Sequence, residues 1–239
     1  MLNCLEPGVI HIHRVKLEAS EEIIARFEGF LCWDEIEHAR RFRFPWLRSR
    51  YILARGALRL FLASYLNAQA REIQFDYGQQ GKPRIHDARL EFNISHSESI
   101  ALMAFSRECE VGVDVEIIRP MADLDGLAQR FFHPAEVAEL RSLAPEAQQE
   151  AFFVCWTRKE AYLKAGGEGL SIPLDSFRVT LSDSPRIVVT KNEHRSRRAC
   201  HLWDLSSPPD YAAALACRGD PIRISTAPFT DPRQTLENL

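Results

Sequence analysis

The amino-acid sequence predicts an α+β fold of two similar lobes, each an antiparallel sheet packed against a long helix. The chain has 239 residues and 46% of them are hydrophobic, which is enough to bury a substantial core. Each half predicts a strand, then helices of which one is long, then further strands. No sequence repeat is visible, so the two-lobe prediction rests on this shared order. We place an N-terminal lobe at residues 1–110 and a C-terminal lobe at 111–239.

Capping residues and hydrophobic alternation define the elements of the first half. Ser20 is a candidate N-cap, and Asp34 with Glu37 has the spacing of a capping box. Ser49 opens a long helix, and the glycines around residues 78–83 predict a turn-rich loop. The predicted elements are a strand at 10–17, helices at 21–27, 35–42 and 49–66, extended segments at 73–77 and 84–85, and strands at 90–95, 100–105 and 111–117. The tight connections between the last three strands favour an antiparallel meander.

Proline and glycine punctuate the second half. Pro134 suits the first position of a helix, and the long helix that follows runs into Gly166 and Gly167, a natural stop. The predicted elements are helices at 124–132, 134–143 and 146–165, and strands near 177–181, 187–190, 200–205 and 211–217. The polar, proline-bearing tail from Thr226 onward is expected to be loosely ordered.

Composition narrows the classes of function. The net charge of −3 argues against nucleic-acid binding, which normally requires a strong basic excess. No apolar run approaches the roughly 20 residues of a membrane span, and the first residues lack the apolar core of a signal peptide. The cysteines are scattered, without the short spacings that hold zinc. These features predict a cytoplasmic protein with reduced thiols and no membrane partner.

Two carboxylates share one face of the predicted strand V-G-V-D-V-E-I at residues 111–117. The valines and Ile117 alternate with Gly112, Asp114 and Glu116, so both acids project to the same side. Side chains two apart on a strand lie about 6 to 7 Å apart, and their repulsion is relieved by a cation between them. A hard ion that prefers oxygen ligands, such as Mg²⁺, fits this pair best. An edge strand with a solvated acidic face is the alternative.

The helix at 146–165 carries a second candidate set. Trp156, Glu160 and Lys164 lie on one stripe at helical spacing. Glu160 and Lys164 alone form an ordinary i,i+4 pair worth about 0.3 to 0.5 kcal/mol. Combined with Asp114 and Glu116, they predict a third metal ligand beside a phosphate-binding lysine.

A cluster of arginines marks the long helix of the first half. No acid lies between residues 40 and 59, and a basic helix of this kind is either a solvated face or an anion site. Guanidinium groups bind phosphate bidentately, which favours an anion site as the functional interpretation. The cluster comprises Arg40, Arg41, Arg43, Arg48, Arg50, Arg55 and Arg59.

These motifs together resemble the paired signature of the 4′-phosphopantetheinyl transferases, and most closely the larger, surfactin-synthetase-activating type. The signature is carried by V-G-V-D-V-E at 111–116, W-T-R-K-E-A-Y-L-K at 156–164 and G-E-G-L at 167–170. G-K-P at 81–83, F-N-I-S-H-S at 92–97 and R-F-F-H-P-A-E at 130–136 agree with it. The resemblance covers roughly residues 40 to 180.

The resemblance implies an enzyme that transfers the 4′-phosphopantetheine arm of coenzyme A to a serine of an apo carrier protein, releasing adenosine 3′,5′-bisphosphate. It implies a pseudo-dimer with the active site in the cleft between the lobes. The carrier is peptidyl, polyketide or acyl, and the sequence does not choose among them. Because one chain carries both sides of the cleft, a monomer is expected to be competent.

The resemblance also assigns roles to single residues. Asp114, Glu116 and Glu160 would hold Mg²⁺, with Mn²⁺ as an alternative ion. Glu160 could act as the base, directly or through a water, and Lys164 would stabilise the charge of the leaving nucleotide. The residues expected to bind the coenzyme are Arg50, Lys82, Ser95, His96 and Lys164.

Three alternatives remain open from the sequence. A non-catalytic binding module would keep the cleft without transfer, and a Mg²⁺-dependent phosphohydrolase would use the same acids with water as nucleophile. The segment at 121–132 could either pack in the core or present Met121, Leu124, Leu127 and Phe131 as a docking surface for the carrier.

Overall fold

The first half of the chain forms a sheet covered by a long helix. The computed structural model describes residues 5–78, 80–85, 90–167, 169–189 and 199–237. The elements of this half are β1 (Val9–Lys16), α1 (Glu21–Glu28), α2 (Trp33–Arg40), α3 (Pro45–Leu66), β2 (Asp76–Tyr77), β3 (Pro83–Arg84), β4 (Glu91–Ser97) and β5 (Ile100–Ser106).

The second half repeats the pattern of strand, helices and strands. Its elements are β6 (Glu110–Ile117), α4 (Leu124–Phe131), α5 (Pro134–Ser142), α6 (Pro145–Gly166), β7 (Phe177–Val179), β8 (Ile187–Val189), β9 (Cys200–Asp204), β10 (Tyr211–Arg218), β11 (Arg223–Thr230) and α7 (Pro232–Glu237). The mixed α+β class is therefore confirmed. No helix within the described ranges combines the length and the apolar character that crossing a membrane requires.

Local chemistry explains where the helices begin and end. Ser20 caps α1 by accepting from the Ile23 N–H, as the sequence predicts. α2 begins earlier than predicted, because Glu35 and not Glu37 closes the capping box, on the backbone N–H of Cys32. α3 also begins earlier, with Pro45 in its first turn, where a missing N–H has no cost.

The described strands form two larger sheets with related topology. One has the order β11-β1-β5-β4 and the other the order β6-β10-β9. In the first, β5 pairs antiparallel with both β1 and β4. In the second, β10 pairs antiparallel with both β6 and β9. The expected meander of β4, β5 and β6 is wrong in its last step: both edges of β5 are already paired, so β6 joins β10 instead.

The C-terminal residues return to the first sheet. β11 pairs in parallel with β1, with Val9 opposite Arg223, and α7 follows it. Leu236 packs against the core beneath α3. The expectation of a loosely ordered tail is wrong, because these residues complete the edge of a sheet whose other strands lie over a hundred residues earlier.

The two faces of β5 pack against different partners. Ala101, Met103 and Phe105 lie in the core under α3, whereas Leu102 and Ala104 pack with the valines of β6. A separate cluster surrounds α6. The first sheet is therefore packed between α3 and the second sheet, and β6 lies where the two halves of the chain meet.

Candidate active site

β6 directs its apolar and polar side chains to opposite sides, as its alternating sequence predicts. Val111, Val113 and Val115 are fully buried against the first sheet. Gly112, Asp114 and Glu116 lie on the other side, and the backbone of α6 crosses close to Gly112. The strand thus presents both acids toward the helix that carries Glu160 and Lys164.

Gly112 is required for this close approach of α6. A Cβ at this position would lie closer than 3.0 Å to the backbone atoms Ala161 O and Ala165 N. Neither is the movable end of a side chain, so a larger residue would displace the helix. The glycine in V-G-V-D-V-E therefore sets the distance between strand and helix.

Asp114 forms the centre of the site. The residue is buried, with 2% of its surface exposed. Oδ1 accepts hydrogen bonds from Lys164 Nζ at 2.6 Å and from Ser95 Oγ at 2.9 Å. Oδ2 is buried and has no hydrogen-bond partner among the described residues. A buried carboxylate oxygen without a partner is costly, and it marks a place where a cation would be stabilising.

Glu116 and Glu160 lie beside Asp114 and are both half-buried. Loss of solvent and then the charge of Asp114 raise the pKa of Glu116. Loss of solvent also raises the pKa of Glu160, where Lys164 lowers it and Asp114 raises it again. Within the described ranges, no three acid, histidine or cysteine side chains are grouped closely enough to hold a metal ion. The structure brings Asp114, Lys164 and Ser95 into contact and leaves the two glutamates nearby.

Lys164 makes its salt bridge across the helix–strand contact. Its partner is Asp114, and the side chain of Lys164 remains 30% exposed. The described residues show no ion pair within 4 Å between Lys164 and Glu160, the i,i+4 partner along the helix. Lys164 therefore binds the acid of β6 and does not form the ion pair along α6 with Glu160.

Most of the arginine cluster is paired with acids from outside residues 40–59. Arg55 and the buried Arg59 both bind Glu35 of α2. Arg40 pairs with Glu37 and Arg48 with Glu28. The absence of acids within residues 40–59 therefore does not leave these four arginines unpaired, since their partners lie beyond the segment that contains them.

Arg50 and His96 lie on the α3 side of the first sheet. Arg50 binds Glu98 at 2.7 Å, and Glu98 adopts a left-handed conformation in the β4–β5 turn with φ of 47°. Loss of solvent around the imidazole, followed by the charges of Lys164 and Arg50, lowers the pKa of His96. Ser95 projects to the opposite side of β4, so the two neighbours in S-H-S do not face the same way.

Lys82 belongs to the loop between β2 and β3, and its side chain contacts both β6 and the end of α6. Its ammonium donates to Val111 O and to Ala165 O, both at 3.0 Å, and the residue is 8% exposed. Burial lowers the pKa of Lys82 to about 8. The sequence predicts a phosphate contact for this lysine, and the structure shows two of its three donors bound to backbone carbonyls.

Sequence reasoning missed two ion pairs that hold α6 in place, one of them fully buried and the other reaching the surface through Asp204. Lys159 binds both oxygens of Glu136 at 2.7 Å, and both residues are fully buried. Arg158 binds Asp204 of β9. A signal was present for the first pair: Lys159 lies on the same apolar stripe as Cys155 and Leu163, where a charge needs a buried partner.

Comparisons with known proteins agree with these features. The family model described as the 4′-phosphopantetheinyl transferase superfamily matches residues 110–216, which include β6 and α6. The 4′-phosphopantetheinyl transferase HetI of Nostoc sp. is 41% identical over 214 residues, covering 88% of this chain and 88% of that protein. The 4′-phosphopantetheinyl transferase Sfp of Bacillus subtilis is 30% identical over 203 residues, covering 84% of this chain and 88% of that protein.

A solved structure also shows a partial similarity. It is a holo-(acyl-carrier-protein) synthase from Bacillus anthracis in complex with CoA (3′,5′-ADP), 21% identical with a TM-score of 0.39, and the match covers 46% of this chain and 94% of that one. This similarity is too low to support an argument, whereas the two relatives above match most of their own length and most of this chain. The chain therefore belongs to the 4′-phosphopantetheinyl transferase superfamily, in its surfactin-synthetase-activating type, and is an enzyme of that class.

Proposed function

We propose that this enzyme transfers the 4′-phosphopantetheine arm of coenzyme A to a serine of an apo peptidyl, polyketide or acyl carrier protein. The released product is adenosine 3′,5′-bisphosphate, and the reaction requires Mg²⁺, with Mn²⁺ as an alternative. The carrying observation is the carboxylate of Asp114. One oxygen is fixed by Lys164 and Ser95, and the other is buried without a partner among the described residues.

We place the reaction in a cleft between two equivalent lobes. Two facts support this arrangement. The strand order β1-β5-β4 has the same relation to the chain as β6-β10-β9, with the last strand between the first and the second. Each half also carries one helix of 22 residues, α3 and α6. A single chain would then supply both sides of the cleft, and we propose that a monomer is active.

The buried, unpartnered Oδ2 of Asp114 and the two half-buried glutamates beside it are donors that suit a hard divalent cation, although the three carboxylates would have to come closer together to share one ion. Asp114, Glu116 and Glu160 would hold it, since all three are oxygen donors; burial, and after it the charge of Asp114, raises the pKa of both glutamates. When bound, Mg²⁺ would neutralise charge on the diphosphate oxygens of the coenzyme.

The remaining chemistry is assigned to protein side chains. The hydroxyl oxygen of the carrier serine attacks the β-phosphorus, and the bond from that phosphorus to the bridging diphosphate oxygen breaks. Glu160 receives the serine proton, directly or through a water, and its raised pKa suits a base. Lys164 has a third N–H beyond those directed to Asp114 and Ser95, and stabilises the leaving nucleotide with it.

Mass analysis of a carrier separates this proposal from its rivals. We expect a purified apo-carrier incubated with the enzyme, coenzyme A and Mg²⁺ to gain the mass of one phosphopantetheine group. A binding module without activity would leave the carrier and the coenzyme unchanged. A phosphohydrolase would consume the nucleotide without modifying the carrier, so either result would overturn the proposed reaction.

Lys82 provides a test of the coenzyme site. We propose that its third N–H contacts the 3′-phosphate of the coenzyme. A charge-assisted hydrogen bond contributes about 1.5 to 3 kcal/mol, so Lys82→Met should weaken coenzyme A binding roughly 10- to 100-fold. The loss of affinity for dephospho-coenzyme A, which lacks that phosphate, should be at least about tenfold smaller than the loss of affinity for coenzyme A.

The measurement for Lys82 is calorimetric titration of both ligands, with the melting temperature as a control. Loss of the two carbonyl contacts should lower the melting temperature regardless of any ligand. Equal losses of affinity for the two ligands would restrict Lys82 to this structural role. Glu98→Gln, which frees Arg50 from its ion pair, should strengthen the binding of coenzyme A.

The start of α4 provides a test of the carrier site. Met121, Leu124, Leu127 and Phe131 are partly buried and pack against the cluster around α6, which leaves part of each side chain exposed. We propose that this exposed part contacts the carrier. Met121→Glu or Leu124→Arg should raise KM for the carrier about tenfold or more and leave coenzyme A affinity unchanged.

A matched control for the carrier site is Ile222→Glu. Ile222 is an apolar residue that is 84% exposed and lies outside α4, so the added charge should not affect KM. Unfolding of both Met121→Glu and Leu124→Arg, seen as a lost thermal transition, would assign these residues to the core instead.

A further inference from the structure

The open edge of β6 is closed by side chains of β4. The backbone N–H groups of three alternate residues of β6 donate to three alternate side chains of β4, each pair 20 residues apart in sequence. The contacts are Val113 N to Asn93 Oδ1 at 2.9 Å, Val115 N to Ser95 Oγ at 3.4 Å and Ile117 N to Ser97 Oγ at 3.1 Å. These side chains replace the backbone ladder that a neighbouring strand would supply.

Each serine of this ladder also binds an acid of β6. Ser95 Oγ donates to Asp114 Oδ1 at 2.9 Å, and Ser97 Oγ donates to Glu116 Oε2 at 3.0 Å. A hydroxyl has one proton, and here each hydroxyl commits that proton to a carboxylate. Asn93 is the member of the ladder that has Gly112 of β6 in place of an acid. Its side-chain oxygen accepts from the backbone N–H of Val113.

The same hydroxyl therefore fixes both the backbone and the acid of β6. A carboxylate that accepts a hydrogen bond on one oxygen loses rotational freedom, and its other oxygen keeps a defined direction. Loss of a group that holds a metal ligand in this way typically lowers metal affinity about 10- to 100-fold. Ser97 is half-buried, and among the described residues its hydroxyl contacts the carboxylate of Glu116 and the N–H of Ile117.

We propose that Ser97 is a positioning residue for Glu116, which it orients for divalent-cation binding. This inference rests on the proposed function, because it assigns Glu116 to the cation. It assigns to the second serine of F-N-I-S-H-S a role separate from the coenzyme contacts expected of Ser95 and His96. A purely structural role, satisfying the N–H of Ile117, is the competing explanation.

Mn²⁺ binding tests the proposal without requiring group transfer. We would titrate Mn²⁺ by electron paramagnetic resonance, with coenzyme A present and no carrier, for the wild type, Ser97→Ala, Ser97→Thr and the control Ser99→Ala. Ser99 is the matched control because its hydroxyl contacts Tyr211 of the second sheet at 3.3 Å and no carboxylate. Melting temperatures would verify that all variants are folded.

We expect Ser97→Ala to weaken Mn²⁺ binding about tenfold or more. Ser97→Thr, which keeps the hydroxyl, and Ser99→Ala should remain within about twofold of the wild type. In the transfer assay, Ser97→Ala should raise the Mg²⁺ concentration at half-maximal rate by a similar factor, with kcat at saturating Mg²⁺ largely retained.

A double-mutant cycle with Glu116→Gln separates the two explanations. If Ser97 acts through Glu116, then Ser97→Ala should not weaken Mn²⁺ binding further in the Glu116→Gln background. Additive losses, or unchanged Mn²⁺ affinity in Ser97→Ala, would overturn the proposal. Failure of the proposed function is a different result, namely a wild-type enzyme that leaves the apo-carrier unmodified.

Discussion

Asp114→Ala is expected to abolish phosphopantetheine transfer while the protein remains folded. The substitution removes the carboxylate whose Oδ2 is buried without a partner and whose Oδ1 holds Lys164. Burial raises the pKa values of Glu116 and Glu160 and the charge of Asp114 raises them further, so the substitution also removes this second contribution. Lys164 keeps access to solvent, so its ammonium is not stranded in the interior. Loss of the cation should lower kcat/KM at least about a thousandfold, equivalent to roughly 4 kcal/mol.

Asp114→Asn refines this test, since the amide oxygen can still accept from Ser95 and Lys164 while the charge is gone. The rate is measured by mass analysis of the carrier, and the fold by thermal denaturation. Glu110→Gln is the matched control, because Glu110 belongs to the same strand and lies on the same face as Asp114. Activity of either Asp114 variant within tenfold of the wild type would remove Asp114 from the cation site.

Gly112→Ala should destabilise the protein and inactivate it together. The new methyl group would lie closer than 3.0 Å to three backbone atoms of α6, and the helix must then move away from β6. Overpacking of this kind costs about 3 kcal/mol, which corresponds to a melting temperature lower by roughly 6 to 12 °C for a chain of this length. The displaced segment includes Lys164, so its contact with Asp114 should lengthen and kcat should fall.

The control for the backbone argument is Gly78→Ala. A Cβ at Gly78 would have its nearest neighbour, Lys82 O, at 3.7 Å, an ordinary van der Waals distance. This variant should melt at the wild-type temperature within about 1 °C. A Gly112→Ala protein with wild-type stability and rate would show that α6 does not need its close approach to β6.

The strand and helix of the site could be predicted because their signals are local. The alternation in β6 placed Asp114 and Glu116 on one side, and the spacing of α6 placed Glu160 and Lys164 on one stripe. The resemblance to the family, confirmed by the relatives, joined the two elements. Their contact itself was not predicted from local pattern, and it depends on Gly112, whose lack of a side chain carries no periodic signal.

Long-range pairings could not be obtained from the sequence. Glu35 neutralises Arg55 and Arg59 from another helix, so the basic character of residues 40–59 was overestimated. β11 joins β1 from the far end of the chain, although its polar composition resembled a loose tail. In each case the partner was outside any window over which propensity or charge can be summed.

The parallel pairing of β1 with β11 has a consequence for synthesis on the ribosome. β1 is translated near the start of the chain, yet its outer partner begins only at Arg223. At about 5 to 20 residues per second, the nascent β1 waits roughly 10 to 40 seconds for that strand. Once β5 has been synthesised and until β11 follows, the outer edge of β1 has unpaired backbone groups, and nascent chains on neighbouring ribosomes present the same edge. Slow codons or a stall downstream of β10 would prolong this exposure, so recovery of intact enzyme depends on how quickly the last strand is delivered.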